Sequence, residues 1–189
     1  MTDLIQHLIN QRKPKAMTEP MTGSKPNFAE LLATIPDFPK PGISFKDISP
    51  LLLQAFPEFI DEMSEAVGDW SNVDVVAGIE ARGFPFAAAL AYKHKIGFVM
   101  LRKAGKLPPP TVTASYDLEY GSAELEVKQG SGRMIIVDDV LATGGTMGAA
   151  FDVCTKAGYQ PLGSISAMRL SFLEQKLPSQ FWHKWVLEI

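Results

Sequence analysis

Asp138 and Asp139 stand side by side in "RMIIVDDVLATGGTM", at the end of an apolar run, and a Thr-Gly-Gly-Thr turn follows a few residues later. Ionised carboxylates accept hydrogen bonds from vicinal hydroxyls and ligate Mg²⁺, but they repel a polyphosphate laid directly on them. The stretch Ala142, Thr143, Gly144, Gly145, Thr146 leads from a strand into a helix. Its backbone N–H groups and the positive end of the helix dipole can therefore converge on an anion, most simply a phosphate. Alone, the loop reads equally well as a tight turn that uses its glycines for unusual backbone angles. Together, acids and loop fit a sugar phosphate, with hydroxyls on the carboxylates and a 5-phosphate in the loop. The alternative is two solvated loop acids. Neither GxxxxGK[ST] nor GxGxxG occurs, so an ATPase or dinucleotide reading has no support.

Other residues could serve the same ligand. "EARG" brings backbone N–H groups and Arg82 to the end of another apolar run, where a second anion would fit. "RKAGK" supplies Arg102, Lys103 and Lys106, cations able to neutralise a departing pyrophosphate; a solvated basic loop is the competing reading. Phe45, in "PGISFKDIS", offers a ring against which a planar base could stack, with backbone groups of Ser44 and Lys46 beside it, though a core role is as plausible on physics alone. Glu119 is one of several acids between 117 and 126, and spacing does not single it out. His94 closes a helix where a cation suits the dipole, and Cys154 falls on a helix's core face, so both read as structural.

The elements that must hold these groups are legible as alternating strands and helices. "VDVVAG" (73–78), "GFVML" (97–101), "MIIV" (134–137) and "LGSISAM" (162–168) read as buried strands. Helices are expected from Phe56 to Gly68, near 85–93, and from about Thr146 to Ala157, with a first helix in "NFAELLATI" that puts Phe28, Leu31, Leu32 and Ile35 on one face. That alternation predicts an α/β fold with a largely parallel sheet, whose ligands sit at the carboxyl ends of the strands. "GIEARG" and "DDVLATGGT" are the loops at that edge. The proline-rich "PDFPKPGISFKDISP" reads as turns, not as a helix or an interior strand. Residues from about 102 to 128 break the alternation with a hairpin pattern around Gly121-Ser122, and an insertion of this kind reads as a lid.

At 189 residues and 46 % hydrophobic content, the chain fits one domain with one substantial core. A net charge of −3 argues against non-specific nucleic-acid binding. One cysteine cannot form an internal disulfide, which fits a reducing cytoplasm. No apolar run approaches the roughly 20 residues needed to cross a bilayer. Residues 1–26 read as a polar leader, with Met17 or Met21 as possible starts, and 27–189 as the single domain.

"VDDVLATGGT" resembles the phosphoribosyl-pyrophosphate (PRPP) signature of the type I phosphoribosyltransferases. "IPDFPKPGISFKDISPLL", "AGIEARGF" and "LRKAGKLPPPTVTASYDLEYG" precede it in the order and at about the spacing found in adenine phosphoribosyltransferases, over roughly residues 28–170. The resemblance implies the type I phosphoribosyltransferase fold: a mainly parallel central sheet flanked by helices, with a lid hairpin and a small hood. It further implies a cytoplasmic homodimer of purine salvage that joins adenine to PRPP, giving AMP and pyrophosphate, with Mg²⁺ as cofactor near Asp138.

On that resemblance, Glu119, Arg82 and Lys106 are the catalytic groups. Ala81, Arg82 and Gly83 hold pyrophosphate behind a strained peptide, with Arg102, Lys103 and Lys106 adding charge, some of them from a neighbouring subunit. Ser44, Phe45 and Lys46 receive the base, Tyr120 stacks or closes the site, Asp138 and Asp139 take the ribose hydroxyls, and Ala142 to Thr146 take the 5-phosphate. Three departures stand out: Pro109 and Ala87 replace glycines common in the family, and Arg169 replaces a common acid. Proline at 109 would make the lid hinge elsewhere or open less freely. A transferase for another purine would share the PRPP half, but the "DFPKPGISFKDIS" block speaks for adenine. A non-catalytic PRPP-sensing regulator would need a basic DNA-binding module, and the leader is too short to be one.

Overall fold

The structure, a computed structural model, describes residues 26–118 and 121–189, and the side chains among them other than those of 116–118 and 121–123. Nearly all of the expected leader, and both Glu119 and Tyr120, lie outside the described residues. A short 3₁₀ turn, Phe28–Leu31, leads into β1 (Ala33–Ile35), which pairs antiparallel with β2 (Phe45–Asp47) as a separate small sheet. Helices α1 (Ser49–Gln54) and α2 (Phe56–Val67) follow, then β3 (Val75–Ile79), α3 (Gly83–His94) and β4 (Gly97–Lys103). The hairpin β5 (Val112–Leu118) and β6 (Gly121–Val127) precedes β7 (Arg133–Leu141), α4 (Gly145–Lys156), β8 (Gln160–Arg169) and β9 (Trp182–Glu188).

The larger sheet has seven strands in the order β5-β6-β4-β3-β7-β8-β9. From β4 to β9 all neighbours are parallel, while the hairpin joins antiparallel through Arg102 and Lys103 of β4, opposite Glu126 and Leu125. Both faces are covered, which is why the central strands read as unbroken apolar runs. Val76, Ile135, Val137 and Ile165 face α2 and α3 with Phe59, Met63, Phe86 and Leu90, whereas Val75, Ala77, Met134 and Ile136 face α4 with Phe151 and Cys154. Ala87 sits opposite Gly78, where a Cβ would come within 2.8 Å of its own, so the family's glycine on the helix is replaced against a glycine on the strand.

Several expectations change. The helix expected in "NFAELLATI" is one 3₁₀ turn followed by a strand, because β1 finds its hydrogen-bonding partner in β2. The Phe45 segment accordingly contains a strand, though not an interior one. β7 runs to Leu141, so Asp138 and Asp139 belong to the strand and not to the loop after it. Leu118 pairs with Gly121, which puts Gly121 and Ser122 in the hairpin's second strand. His94 is packed and not simply a charge at its helix end: burial lowers its pKa, its Nε2 lies 2.7 Å from Ser64 Oγ, and Trp70 stacks on it at 3.9 Å. Cys154 is buried as expected, its thiol pushed up to about 12 by desolvation.

Candidate active site

The carboxyl ends of β3, β7 and β8 meet the small β1–β2 sheet, and Ser44, Phe45, Lys46, Ala81, Arg82, Lys103, Asp138, Asp139 and the turn from Ala142 to Thr146 gather there. Side chains alternate along β7, so Asp139 continues the face that carries Val137 towards α3, while Asp138 continues the other. Arg82 immediately precedes α3, and its Nε stands 2.9 Å from Asp139 Oδ2. This ion contact leaves the oxygen without a hydrogen bond of good geometry. Asp139 is only 3 % exposed, and desolvation raises its pKa against the opposing pull of Arg82. Asp138 is held well above the usual carboxylate range, first by desolvation and then by repulsion from Asp139, whose backbone N–H donates to Asp138 Oδ1 at 2.9 Å. Such a pair is poised for hydroxyl donors or a cation that would restore what water no longer supplies.

A cleft of about 400 Å³ opens over these acids, lined by Ala81, Arg82, Lys103, Asp138, Asp139 and the whole turn from Ala142 to Thr146. Gly144 takes φ +89°, and α4 starts at the next residue, which aims the turn's N–H groups into the cleft's end. A second cavity of about 140 Å³ is lined by Ile43, Ser44, Phe45, Lys46, Met168 and Leu170. Arg82, Asp139, Val140 and Ala142 wall both, so the two spaces adjoin through the ion pair. The smaller one is more apolar and bounded by an aromatic ring, as a flat heterocycle requires.

Not every candidate is where the sequence suggested. Arg102 is committed to Glu80, with Nε 3.2 Å and Nη2 3.3 Å from its carboxylate, and it stands outside the cleft wall, as does Lys106. Glu80 also accepts the Lys103 N–H and is drawn below its ordinary value, chiefly by Arg102. Gly83 packs under the site: a Cβ there would lie 2.6 Å from the Val137 carbonyl oxygen. The ring of Phe45 has Arg82 over it at 4.9 Å and Phe38 at its edge, and the Lys46 ammonium is held by Thr34. The peptide joining Glu80 to Ala81 is cis. Met168 and Leu170 were missed, although the carboxyl end of the strand read over 162–168 pointed to them.

Glu126 was missed as well. It is 3 % exposed, and it accepts the backbone N–H groups of Lys106 and Leu107, each at 2.6 Å. Desolvation pushes its pKa up, but these donors, with Gly105 and Thr111, outweigh burial and bring it below the ordinary 4.5. Its carboxylate thus shapes the turn that carries the basic residues. Glu126→Ala is expected to cost about 1.5–3 kcal/mol by removing the charged acceptor of the Lys106 and Leu107 N–H groups, read as a lower urea midpoint, and to speed trypsin cleavage at Lys103 and Lys106. A carboxylate depressed in the fold stabilises fully above its unfolded value and loses that contribution as pH falls through the lower folded one. The gap between wild type and variant should therefore be full at pH 7 and close below pH 4.5.

The sequence profile of the phosphoribosyl transferase domain matches residues 47–188. The adenine phosphoribosyltransferase of Bdellovibrio bacteriovorus is 52 % identical over 146 residues, covering 77 % of this chain and 88 % of that protein. The crystal structure of adenine phosphoribosyltransferase from Rhodothermus marinus superposes with a TM-score of 0.80 at 37 % identity, over 86 % of this chain and 96 % of that one. A Giardia lamblia enzyme solved with 9-deazaadenine gives 0.77 at 32 % identity, over 89 % and 99 %. No helix among the described residues is long and apolar enough to cross a membrane.

Proposed function

The chain belongs to the phosphoribosyl transferase family and, within it, to the adenine phosphoribosyltransferases, and from that premise we propose how its own residues join adenine to PRPP, giving AMP and pyrophosphate. The observation that carries the reading is the pair of adjoining cavities, one polar and ending in a phosphate-type turn, the other apolar and closed by Phe45, with the Arg82–Asp139 contact between them.

The 5-phosphate is held by the N–H groups of Ala142 to Thr146, and the ribose hydroxyls by Asp138 and Asp139. Pyrophosphate lies towards Ala81, Arg82 and Lys103. Adenine enters beside Ser44, Phe45 and Lys46, which requires the Arg82 guanidinium to leave the Phe45 ring for the anion. The bond from ribose C1 to pyrophosphate breaks while the bond from C1 to the purine nitrogen forms, and the positive charge built up on the sugar is balanced by the buried acids. Glu119 takes the purine proton and Tyr120 closes over the base when the hairpin folds down, excluding water that would hydrolyse PRPP. Arg102 and Lys106 reach the pyrophosphate only if that closure releases Arg102 from Glu80.

Mg²⁺ suits the site. Two adjacent desolvated carboxylates, one with an oxygen lacking a hydrogen bond, match an ion that takes one or two carboxylates together with substrate phosphates; no larger ligand cluster occurs among the described residues. When bound it would neutralise pyrophosphate charge, held through Asp138 or Asp139. A cytoplasmic homodimer belongs to the same reading. Cys154 is buried as a free thiol, and Phe98 and Met100 of β4 leave apolar surface beside Phe84 for a second copy.

The test is a purine panel with PRPP and Mg²⁺, following nucleotide formation. Adenine is expected to give AMP, with hypoxanthine, guanine and xanthine at least about a hundredfold poorer in kcat/KM, since a pocket built on matched hydrogen bonds penalises mismatched ones steeply. A comparable rate with another purine would overturn the specificity. PRPP binding with no product from any base would favour the regulator.

A further inference from the structure

The turn that ends the larger cleft is gripped from outside by the segment linking β8 to β9. The Lys176 N–H donates to the Thr143 carbonyl at 2.8 Å. Gly144 is so closely covered that a Cβ would meet the Lys176 carbonyl oxygen at 2.7 Å and Leu177 Cδ2 at 3.1 Å. Beside residues 170–176 lies a larger open cavity of about 560 Å³, bounded by Leu141, Arg169, Phe172, Gln175, Leu177 and Trp185, while Leu177 and Phe181 further along pack against the core. Phe172 is 72 % exposed and no residue from 170 to 176 is buried, so apolar packing does little to fix this stretch. Hydrogen bonds must do so. The Gln175 amide donates through Nε2 to the carbonyls of Leu170, at 2.8 Å, and Leu173, while its Oε1 accepts from Arg169 Nε at 2.8 Å. Arg169 is itself stacked on Trp185 at 4.5 Å, and the Leu170 N–H donates to the Leu141 carbonyl at the end of β7.

We propose that Gln175 is a positioning residue for the phosphate turn: it folds residues 170–176 into the shape that places Lys176 against Thr143 and Gly144, and so sets affinity for ligands that carry a sugar 5-phosphate. It touches no substrate. The side chain spans both ends of the segment, and Arg169, which departs from the acid common in the family, supplies the donor that orients the amide. The inference rests on the reading that Ala142 to Thr146 hold the 5-phosphate, and it predicts a selectivity that a general structural role lacks. Ligands bearing that phosphate should lose affinity together, and ligands without it should lose none.

The experiment is titration calorimetry on Gln175→Ala with AMP, ribose 5-phosphate and, with Mg²⁺ present, pyrophosphate, alongside KM for PRPP and adenine. Dissociation constants for AMP and ribose 5-phosphate, and KM for PRPP, are expected to rise roughly tenfold, within the effect of a binding group displaced by a distant change. Pyrophosphate affinity and KM for adenine should stay near wild type. Equal weakening of all ligands, or unchanged AMP binding, overturns the proposal. Gln175→Glu, which keeps the acceptor for Arg169 but loses both donated bonds, should give the same pattern and serves if the alanine variant does not fold. Gly145→Pro, which removes one of the turn's N–H donors at the first position of α4, separates the two readings. If it leaves AMP and ribose 5-phosphate binding intact, the phosphate turn itself has been misassigned; if it weakens them while Gln175→Ala does not, only the brace is wrong.

Discussion

Asp139→Asn is expected to lower kcat/KM for PRPP by about a hundredfold, equivalent to about 2.7 kcal/mol, and to raise KM for adenine as well. The size follows from what the carboxylate does twice. It is the buried partner of Arg82, at 2.9 Å and 3 % exposed, and it is an acceptor at the junction of both cavities. An amide keeps the shape but not the charge. A hydrogen bond to a charged group contributes about 1.5–3 kcal/mol, and the guanidinium, freed of its counter-ion, would settle on the Phe45 ring that it already covers at 4.9 Å. Folding should suffer less, because the Arg82 side chain is 41 % exposed and water can solvate it. Asp138→Asn should be milder, since the Arg82 ion contact is made by Asp139, and Asp138 lines only the larger of the two cavities. Steady-state kinetics on both variants check this. An Asp139→Asn enzyme within threefold of wild type would remove the residue from the ribose-binding role.

The positions of these acids were readable because a parallel strand buried on both faces leaves few sequence alternatives: four apolar residues, then polar ones, then a glycine turn. The helices around α2 and α4 were readable for the same reason, since Phe59, Met63 and Val67, or Met147, Phe151 and Cys154, each mark one buried face. What escaped depended on partners distant in sequence. Phe28, Leu31, Leu32 and Ile35 sit at helical spacing, yet β1 exists because Phe45–Asp47 offers it an edge. Arg102 looks like a free cation beside Lys103 until Glu80 is brought against it by the β3–β4 register. Glu126 alternates with apolar neighbours as any solvent-facing strand residue would, and only the fold of residues 105–107 makes it a buried acceptor. The last strand, "WHKWVLE", went unread because His183 and Lys184 interrupt its apolar residues and, at the sheet's edge, nearly all its positions are only half-buried. Its pairing with β8 is what stretches residues 170–181 across the phosphate turn.

Gly83 shows the same limit in a form that predicts the largest loss of stability. "EARG" suggested a backbone that approaches an anion, but the close approach is to the protein itself. A Cβ at Gly83 would stand 2.6 Å from the Val137 carbonyl oxygen, 3.2 Å from Asp138 Cα and 3.3 Å from Asp138 Oδ1. The first two are backbone atoms of β7, a central strand paired with β3 and β8, so no side-chain rotation relieves the contact. Gly83 is helical, and the objection is steric alone, which in a helix outside such a contact would make alanine the better residue. Gly83→Ala is therefore expected to cost about 3 kcal/mol, at the upper end for overpacking, and to cut turnover at least about a hundredfold by moving Arg82 and Asp138 apart. Gly148→Ala is the matched control for stability: a Cβ there meets nothing within 4 Å, and its helical site predicts a gain of about 0.5–1 kcal/mol. Urea midpoints of the two variants should move in opposite directions. If both rose, α3 could be pushed away from β7 without cost, and the tight seating of Arg82 over the acids would not be what holds the two cavities together.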